Sequence, residues 1–245
     1  MNDRYAMCTV TLIPTNHQDF ILTSNRDEAP VRQTIPPRIY DEDGVKMLYP
    51  KDALAGGTWI GISEHDSLIC LLNGGFVNHR RKPGYKKSRG IVVKDLLKKP
   101  DLHLGLQSYD FTGIEPFTII AVSWKSALSF YELVWDGSKA HFKKLDASTT
   151  HIWSSSSLYD QQMKAQRKTW FEQFLNKNQV SNTSLLQFHK TAGVGDKHID
   201  LIMNRGFVAT TSITQIKKSG EQVSMNYEDL QTNTSSTSLF TSVVS

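Results

Sequence analysis

Three short stretches of this 245-residue chain hold side chains that can do chemistry together. Cys8 stands at the start of a β-branched run, directly after Met7. Asn25-Arg26-Asp27-Glu28 closes a second run, and Asn73-Gly74-Gly75 closes a later one. A hairpin joining the first two runs returns the Arg26 end beside Cys8 and sets a guanidinium and a carboxylate next to a thiol. A nearby guanidinium favours thiolate, lowering a pKa that starts near ~8.5. Alternation imposes a condition. Adjacent strand residues point to opposite faces, so Arg26 and Asp27 both reach Cys8 only if the chain bends there, and the approach to Pro30 is a natural place for a bend. Taken alone, Cys8 also fits an ordinary half-buried strand residue.

The most visible charged feature is the loop from His79 to Arg89, with Arg80, Arg81, Lys82, Lys86, Lys87 and Arg89 and no acid. Such a cluster holds carboxylates or phosphates, and Tyr85 can stack on a ring. The competing reading is a solvated loop ahead of a helix. The whole chain is nearly balanced, 28 Lys and Arg against 24 Asp and Glu, which argues against nucleic acid as the partner. A small anionic molecule fits better. His198-Ile199-Asp200, His141 and His151 are not at metal-ligand spacing, and Gly56-Gly57-Thr58-Trp59 lacks the Lys of a phosphate loop. No metal and no cofactor are expected. Cys70, inside Leu68-Ile69-Cys70-Leu71-Leu72, reads as core.

Composition bounds the rest. Apolar residues make up 39% and charged residues 21%, ordinary for a globular protein. Two cysteines exclude a disulfide framework. The longest mostly apolar run, Phe117 to Trp124, is far short of the ~18 residues a membrane helix needs. No secretory leader is evident, and Cys8 lacks the apolar leader of a lipid-anchored form. A cytoplasmic protein with reduced thiols is expected.

The elements that must position these residues are mostly short strands. Ala6 to Pro14 and Asp19 to Asn25 form an opening hairpin, Thr58 to Ile62 and Leu68 to Asn73 a second pair. Phe117 to Trp124, Leu128 to Trp135 and Ala140 to Leu145 form a meander turning at Asp136-Gly137. Phe207 to Ile216 and Gln222 to Tyr227 make the last pair. Helices are predicted over Ser88 to Lys98, Leu158 to Asn176 with Ser157 and Asp160 as a capping pair, and Thr183 to Thr191. This is one α+β domain over residues 1–230, followed by a Ser/Thr-rich loose tail over 231–245.

Met7-Cys8-Thr9-Val10, Thr23-Ser24-Asn25-Arg26-Asp27-Glu28, Gly56-Gly57-Thr58-Trp59-Ile60-Gly61-Ile62, Asn73 and Ser88-Arg89-Gly90 together resemble the NRDE family, that of transport and Golgi organisation protein 2. The match covers roughly the first hundred residues closely and the remainder loosely, through Trp153-Ser154-Ser155-Ser156 and Thr210-Thr211-Ser212-Ile213-Thr214. The resemblance implies a fold similar to the N-terminal-nucleophile hydrolases, a four-layer αββα sandwich of two antiparallel sheets with helices outside. It implies catalytic positions at Cys8, Arg26, Asp27 and Asn73, as in the cysteine branch with penicillin V acylases and bile acid hydrolases. That branch has its Arg and Asp separated by two residues, a further Asn near Ser155 and an Arg near Thr211, and this chain departs at each point. Arg80, Arg81, Lys82 and Arg89 are the expected substrate-binding set.

The implied chemistry is attack of a thiolate on an amide carbonyl. The α-amine of a chain-terminal Cys, titrating near ~7.7–8.0, takes the thiol proton. Asn73 with a backbone N–H holds the oxyanion. A rival class is a non-catalytic carrier on the same fold for haem, lipid or acyl thioester, since family members are associated with secretion and Golgi organisation. An α-amine base requires Cys8 to be the first residue, and seven residues precede it as written. Start or cleavage at Met7 exposes Cys8, so the active protein is expected to begin at Cys8. N-terminal mass analysis of protein from its native cell checks this. Retention of residues 1–7 with activity that survives Cys8→Ala transfers the reading to the carrier.

Overall fold

A computed structural model describes residues 7–157 and 159–241. Thirteen strands and four helices are found among them. In chain order the strands are β1 (Met7–Pro14), β2 (Phe20–Glu28), β3 (Thr34–Glu42), β4 (Val45–Asp52), β5 (Ile60–Ser63) and β6 (Ser67–Asn73). After helices α1 (Arg89–Leu97) and α2 (Leu102–Ser108) come β7 (Phe117–Ser123), β8 (Ser129–Trp135), β9 (Ala140–Leu145) and β10 (His151–Ser154). Helices α3 (Gln161–Lys177) and α4 (Asn182–Thr191) precede β11 (Ala209–Ser219), β12 (Gln222–Asp229) and β13 (Thr234–Phe240).

The strands form two antiparallel sheets. One has the order β10-β1-β2-β11-β12-β13, the other runs β3 to β9 in sequence. Their facing sides share one apolar core, with Val10, Leu12, Phe20 and Leu22 from the first and Ile60, Leu68, Cys70, Ile120 and Phe130 from the second. Val92, Val93, Leu96 and Leu97 of α1 cover the outer side of the second sheet, against Ile69 and Ile119. Phe171 of α3 with Leu185 and Phe188 of α4 cover Ile13 and Ile21 on the outer side of the first. The layers are therefore αββα, as expected from the resemblance.

Several elements depart from the sequence reading for identifiable reasons. β3 and β4 were not expected, because Pro36, Pro37 and Pro50 interrupt their apolar pattern. β3 is an edge strand, and its register shifts between Ile35 and Arg38, so the prolines are accommodated there. The short helix α2 was also missed. It is capped by Asp101, whose carboxylate accepts from the Leu104 N–H. Asp160, not Ser157, caps α3 through the Met163 N–H. Much of the expected loose tail is strand: β13 pairs with β12 from Val223↔Phe240 to Asp229↔Thr234. Ala6, the start expected for the first strand, Leu158, the start expected for the third helix, and residues 242–245 lie outside the described residues.

One backbone contact fixes α1 relative to the β4–β5 corner. A Cβ placed on Gly57 falls 2.5 Å from the Gly90 carbonyl carbon, and the Thr58 N–H donates to the Gly90 carbonyl at 3.2 Å. Neither chain can retreat without breaking that bond. Gly57→Ala is expected to destabilise the fold by about 1–3 kcal/mol through overpacking, seen as a lower urea midpoint with an unchanged slope. An unaltered midpoint refutes the tightness of this contact.

Candidate functional site

The hairpin of β1 and β2 does what the sequence requires of it. Cys8 is directly opposite Arg26, with Val10 opposite Ser24 and Leu12 opposite Leu22. This set faces the inter-sheet core. Arg26 is 3% exposed, and its charge is closely answered. Its Nη2 donates to Glu28 Oε2 and Asp52 Oδ2, each at 3.3 Å, and its Nη1 to Thr34 Oγ1 at 3.1 Å. The guanidinium carbon sits 4.1 Å from the centroid of the Trp59 ring. Arg32 completes the cluster, with its Nε 2.6 Å from Asp52 Oδ2 and 3.8 Å from Glu28 Oε2. Two guanidinium groups and two carboxylates thus satisfy each other in a largely dry setting.

Asn73, at the end of β6, approaches the Cys8 strand through Ser155. The Ser155 N–H donates to the Cys8 carbonyl at 3.1 Å, and its hydroxyl donates to the Asn73 carbonyl. Ser157 donates to the same carbonyl at 3.2 Å. Ser155 stands where the resemblance leads one to expect an Asn, and it ties the Cys8 and Asn73 main chains together.

The Cys8 thiol itself is held neutral. Burial pushes its pKa well up, the nearby Cys70 and Asp27 push it further, and Ser24 and Arg26 oppose this without prevailing. The Ser24 hydroxyl influences both Cys8 and Cys70, yet makes no hydrogen bond of ordinary geometry. Burial likewise pushes Cys70 up to about 12.

Asp27 belongs to the other face. β2 pairs residue by residue through Met7↔Asp27, so the bend that would turn Asp27 toward Cys8 is absent. The irregularity lies instead in β11, whose register shifts between Thr210 and Ser212 opposite Asp27 and Arg26. Thr211 in that bulge donates to the Arg26 carbonyl at 3.3 Å. On the helix side, Asp27 accepts from Tyr159 and from Thr210, both at 2.6 Å. Burial pushes its carboxyl up to about 6, against the charge of Arg167. Arg167 is buried with its guanidinium 3.4 Å from the Tyr159 ring centroid, donating to Thr9 Oγ1 and to the Ile199 and Asp200 carbonyls. Asn25 reaches the same layer, where its Oδ1 is 2.6 Å from His189 Nδ1. Burial lowers that imidazole to about 3, so it is neutral.

A cavity of about 250 Å³ opens beside Arg26. Arg26, Trp59 and Asn73 form part of its wall, with Arg32 and Asp52 on one side and the start of α1 on another. Arg81 and Arg89 of the expected binding set line it. Arg80 and Lys82 are exposed and are not among its lining residues. Cys8 is not a lining residue either. Glu115 in the wall is shared by Arg89 at 3.3 Å, His79 at 3.2 Å and Arg81 at 3.8 Å. Sequence reasoning missed Glu28, Asp52 and Trp59 as partners of Arg26, although Glu28 and Trp59 stand inside quoted motifs. It also missed Tyr159 and Arg167, which carry no local signal.

The raised carboxyl of Asp27 has a signed consequence. Between its ordinary 3.8 and about 6, the folded chain keeps a proton that the unfolded chain releases. Its contribution to stability is therefore full below pH 4 and lost as pH rises through 6. Unfolding free energies of the native chain minus those of Asp27→Asn are expected to rise by about 1–3 kcal/mol from pH 7.5 to 4. A flat or falling difference in denaturant titrations contradicts the assignment.

Solved structures share this architecture. A Caenorhabditis elegans N-acylethanolamine-hydrolyzing acid amidase ortholog superposes with a TM-score of 0.57 at 14% identity, covering 86% of this chain and 92% of that one. Penicillin V acylase from Agrobacterium tumefaciens gives 0.59 at 10% identity, covering 96% and 86%. A mutant conjugated bile acid hydrolase from Clostridium perfringens gives 0.52 at 7% identity over 98% of both chains. At these identities the likeness is one of fold, and the fold is that of the N-terminal-nucleophile hydrolases. No curated protein sequence matches the chain. The family model described as Transport and Golgi organisation 2 matches residues 7–238, from the first described residue to within β13, and the chain belongs to that family.

Proposed function

We propose that this protein is a cysteine hydrolase of a non-peptide amide bond, with Cys8 as nucleophile. The observation that carries the reading is the pairing of Cys8 with Arg26, with Asn73 tied to the same strand through Ser155. The fold supports it, since proteins of this architecture include an acid amidase, an acylase and a hydrolase by name. A thiolate attacks the amide carbonyl, and the oxyanion is held by the Asn73 side chain and a backbone N–H. The C–N bond then breaks, the amine leaves with the proton taken from the thiol, and water hydrolyses the thioester.

The form described keeps the thiol protonated, so activation requires a change at Cys8. Met7 is the register partner of Asp27. A chain that begins at Cys8 ends its first strand beside Asp27, and its α-ammonium takes up a position that a carboxylate can orient. Loss of residues 1–7 supplies a base, the α-amine of Cys8. The carrier reading draws on a separate observation: Cys8 is 4% exposed, its thiol is neutral, and it does not line the cavity.

Chains beginning at Met1 and at Cys8, each with a Cys8→Ala or Cys8→Ser counterpart, are to be incubated with a panel of N-acyl amides and analysed by intact mass. The chain beginning at Cys8 is expected to gain an acyl mass on Cys8 and to turn over at least about 10²-fold faster than the long form. Absence of acylation in both forms, with haem or acyl thioesters binding equally to Cys8→Ala, overturns the hydrolase in favour of the carrier.

A further inference from the structure

The cavity wall is unevenly charged. Five basic residues line it (Arg26, Arg32, Arg81, Lys87 and Arg89) against the three carboxylates Glu28, Asp52 and Glu115. Lys87 is answered from outside the wall by Asp95 at 2.6 Å, and the remaining excess is not spread evenly. Glu28 and Asp52 bond to Arg26 and Arg32 at one end. At the other end Glu115 is divided among Arg81, Arg89 and His79.

This second end is also where α1 begins. Ser88, Arg89 and Gly90 all line the cavity. The Ser88 side chain makes no capping hydrogen bond, and the first turn of α1 has no acidic residue. Nothing within the helix therefore opposes the positive end of its dipole. Gly90 has no side chain, and the space a Cβ would take is filled by the Gly57–Thr58 backbone, which holds the helix start in place on the cavity wall. Trp59 belongs to the wall as a buried residue. It is 7% exposed, and its indole N–H is a buried donor without an acceptor among the described residues. The basic wall and the uncapped helix start favour the same kind of guest, whereas the Trp59 ring packs against Arg26 at the other end.

We propose that the α1 end of this cavity is an oxoanion subsite that takes a carboxylate or phosphate group carried by the ligand. Arg81 and Arg89 supply charge and forked donors, and the first turn of α1 supplies backbone N–H groups. The cavity volume suits one small acidic group with a short attachment, with the rest of the ligand leading toward Asn73 and Arg26. The site rests on the cavity alone. Only the further statement, that the guest is an amide bearing an acidic group, rests on the hydrolase reading.

Calorimetric titration of the full chain with inorganic phosphate and with succinate, each against chloride at matched ionic strength, tests the subsite without requiring activity. The two probes distinguish a phosphate from a carboxylate preference. Binding of at least one is expected, weakening with added salt. Arg81→Ala and the milder Arg89→Lys are each expected to weaken it about tenfold or more, the scale of a hydrogen bond to a charged group. Lys177→Ala, which removes the same charge from an exposed position on α3, is expected to leave it unchanged. Circular dichroism melts identify any variant that fails to fold, and the remaining variant then decides. Heat no greater than with chloride overturns the subsite, as does a loss that Lys177→Ala reproduces. If phosphate or succinate binds while no amide acylates Cys8, the subsite stands and the hydrolase reading alone fails.

Discussion

The antiparallel register of β1 and β2 governs everything else at this site. With Cys8 opposite Arg26, period-two alternation sorts the motif residues into two compartments. Cys8, Arg26 and Glu28 face the space between the sheets, while Asn25 and Asp27 face the helices. A slip of one residue would exchange the two sets, burying the Arg26 guanidinium under α3 and α4 and placing the Asp27 carboxylate and the Asn25 amide in the core. The bulge at Thr210–Ser212 lets β11 follow β2 through this region without disturbing that alternation. Four consecutive polar residues therefore serve two separate hydrogen-bond networks from one strand.

Those networks differ in character. The inner one is a closed arrangement of Arg26, Arg32, Glu28 and Asp52, in which each charge meets an opposite one. Burying such groups singly costs several kcal/mol, so the arrangement stands or falls as a unit. The outer one surrounds a single raised carboxyl, Asp27, with Tyr159, Thr210 and the more distant charge of Arg167. The inner group holds its charge for a cavity, whereas the outer one fixes a strand against its helical cover.

Much of this was legible in the sequence, for physical reasons. The Cys8–Arg26 hairpin, the core position of Cys70, the meander β7–β9 and helices α1, α3 and α4 follow from alternation, turn residues and helical spacing. The motif set carried the resemblance that implied the αββα layers. What escaped was long-range or irregular. β3 and β4 are masked by Pro36, Pro37 and Pro50, and β13 has the composition of a tail because its outward side chains are Ser and Thr. The bend sought in β2 belongs to β11, nearly two hundred residues away, where only the pairing reveals it. Tyr159 and Arg167 find Asp27 through the packing of α3, which no local pattern announces. Within the basic loop, charge alone could not separate Arg81, which lines the cavity, from its neighbours Arg80 and Lys82.

The Gly57–Gly90 contact bears on how this protein can diverge. It locks the α1 start to the β4–β5 corner at backbone distance, so that part of the cavity wall cannot be reshaped by exchanging side chains. The loop from Phe76 to Lys87 is under no such restriction, being largely exposed. Relatives that come to accept different guests should therefore record the change in that loop's length and charge, while both glycines persist as a fixed hinge pin beside it.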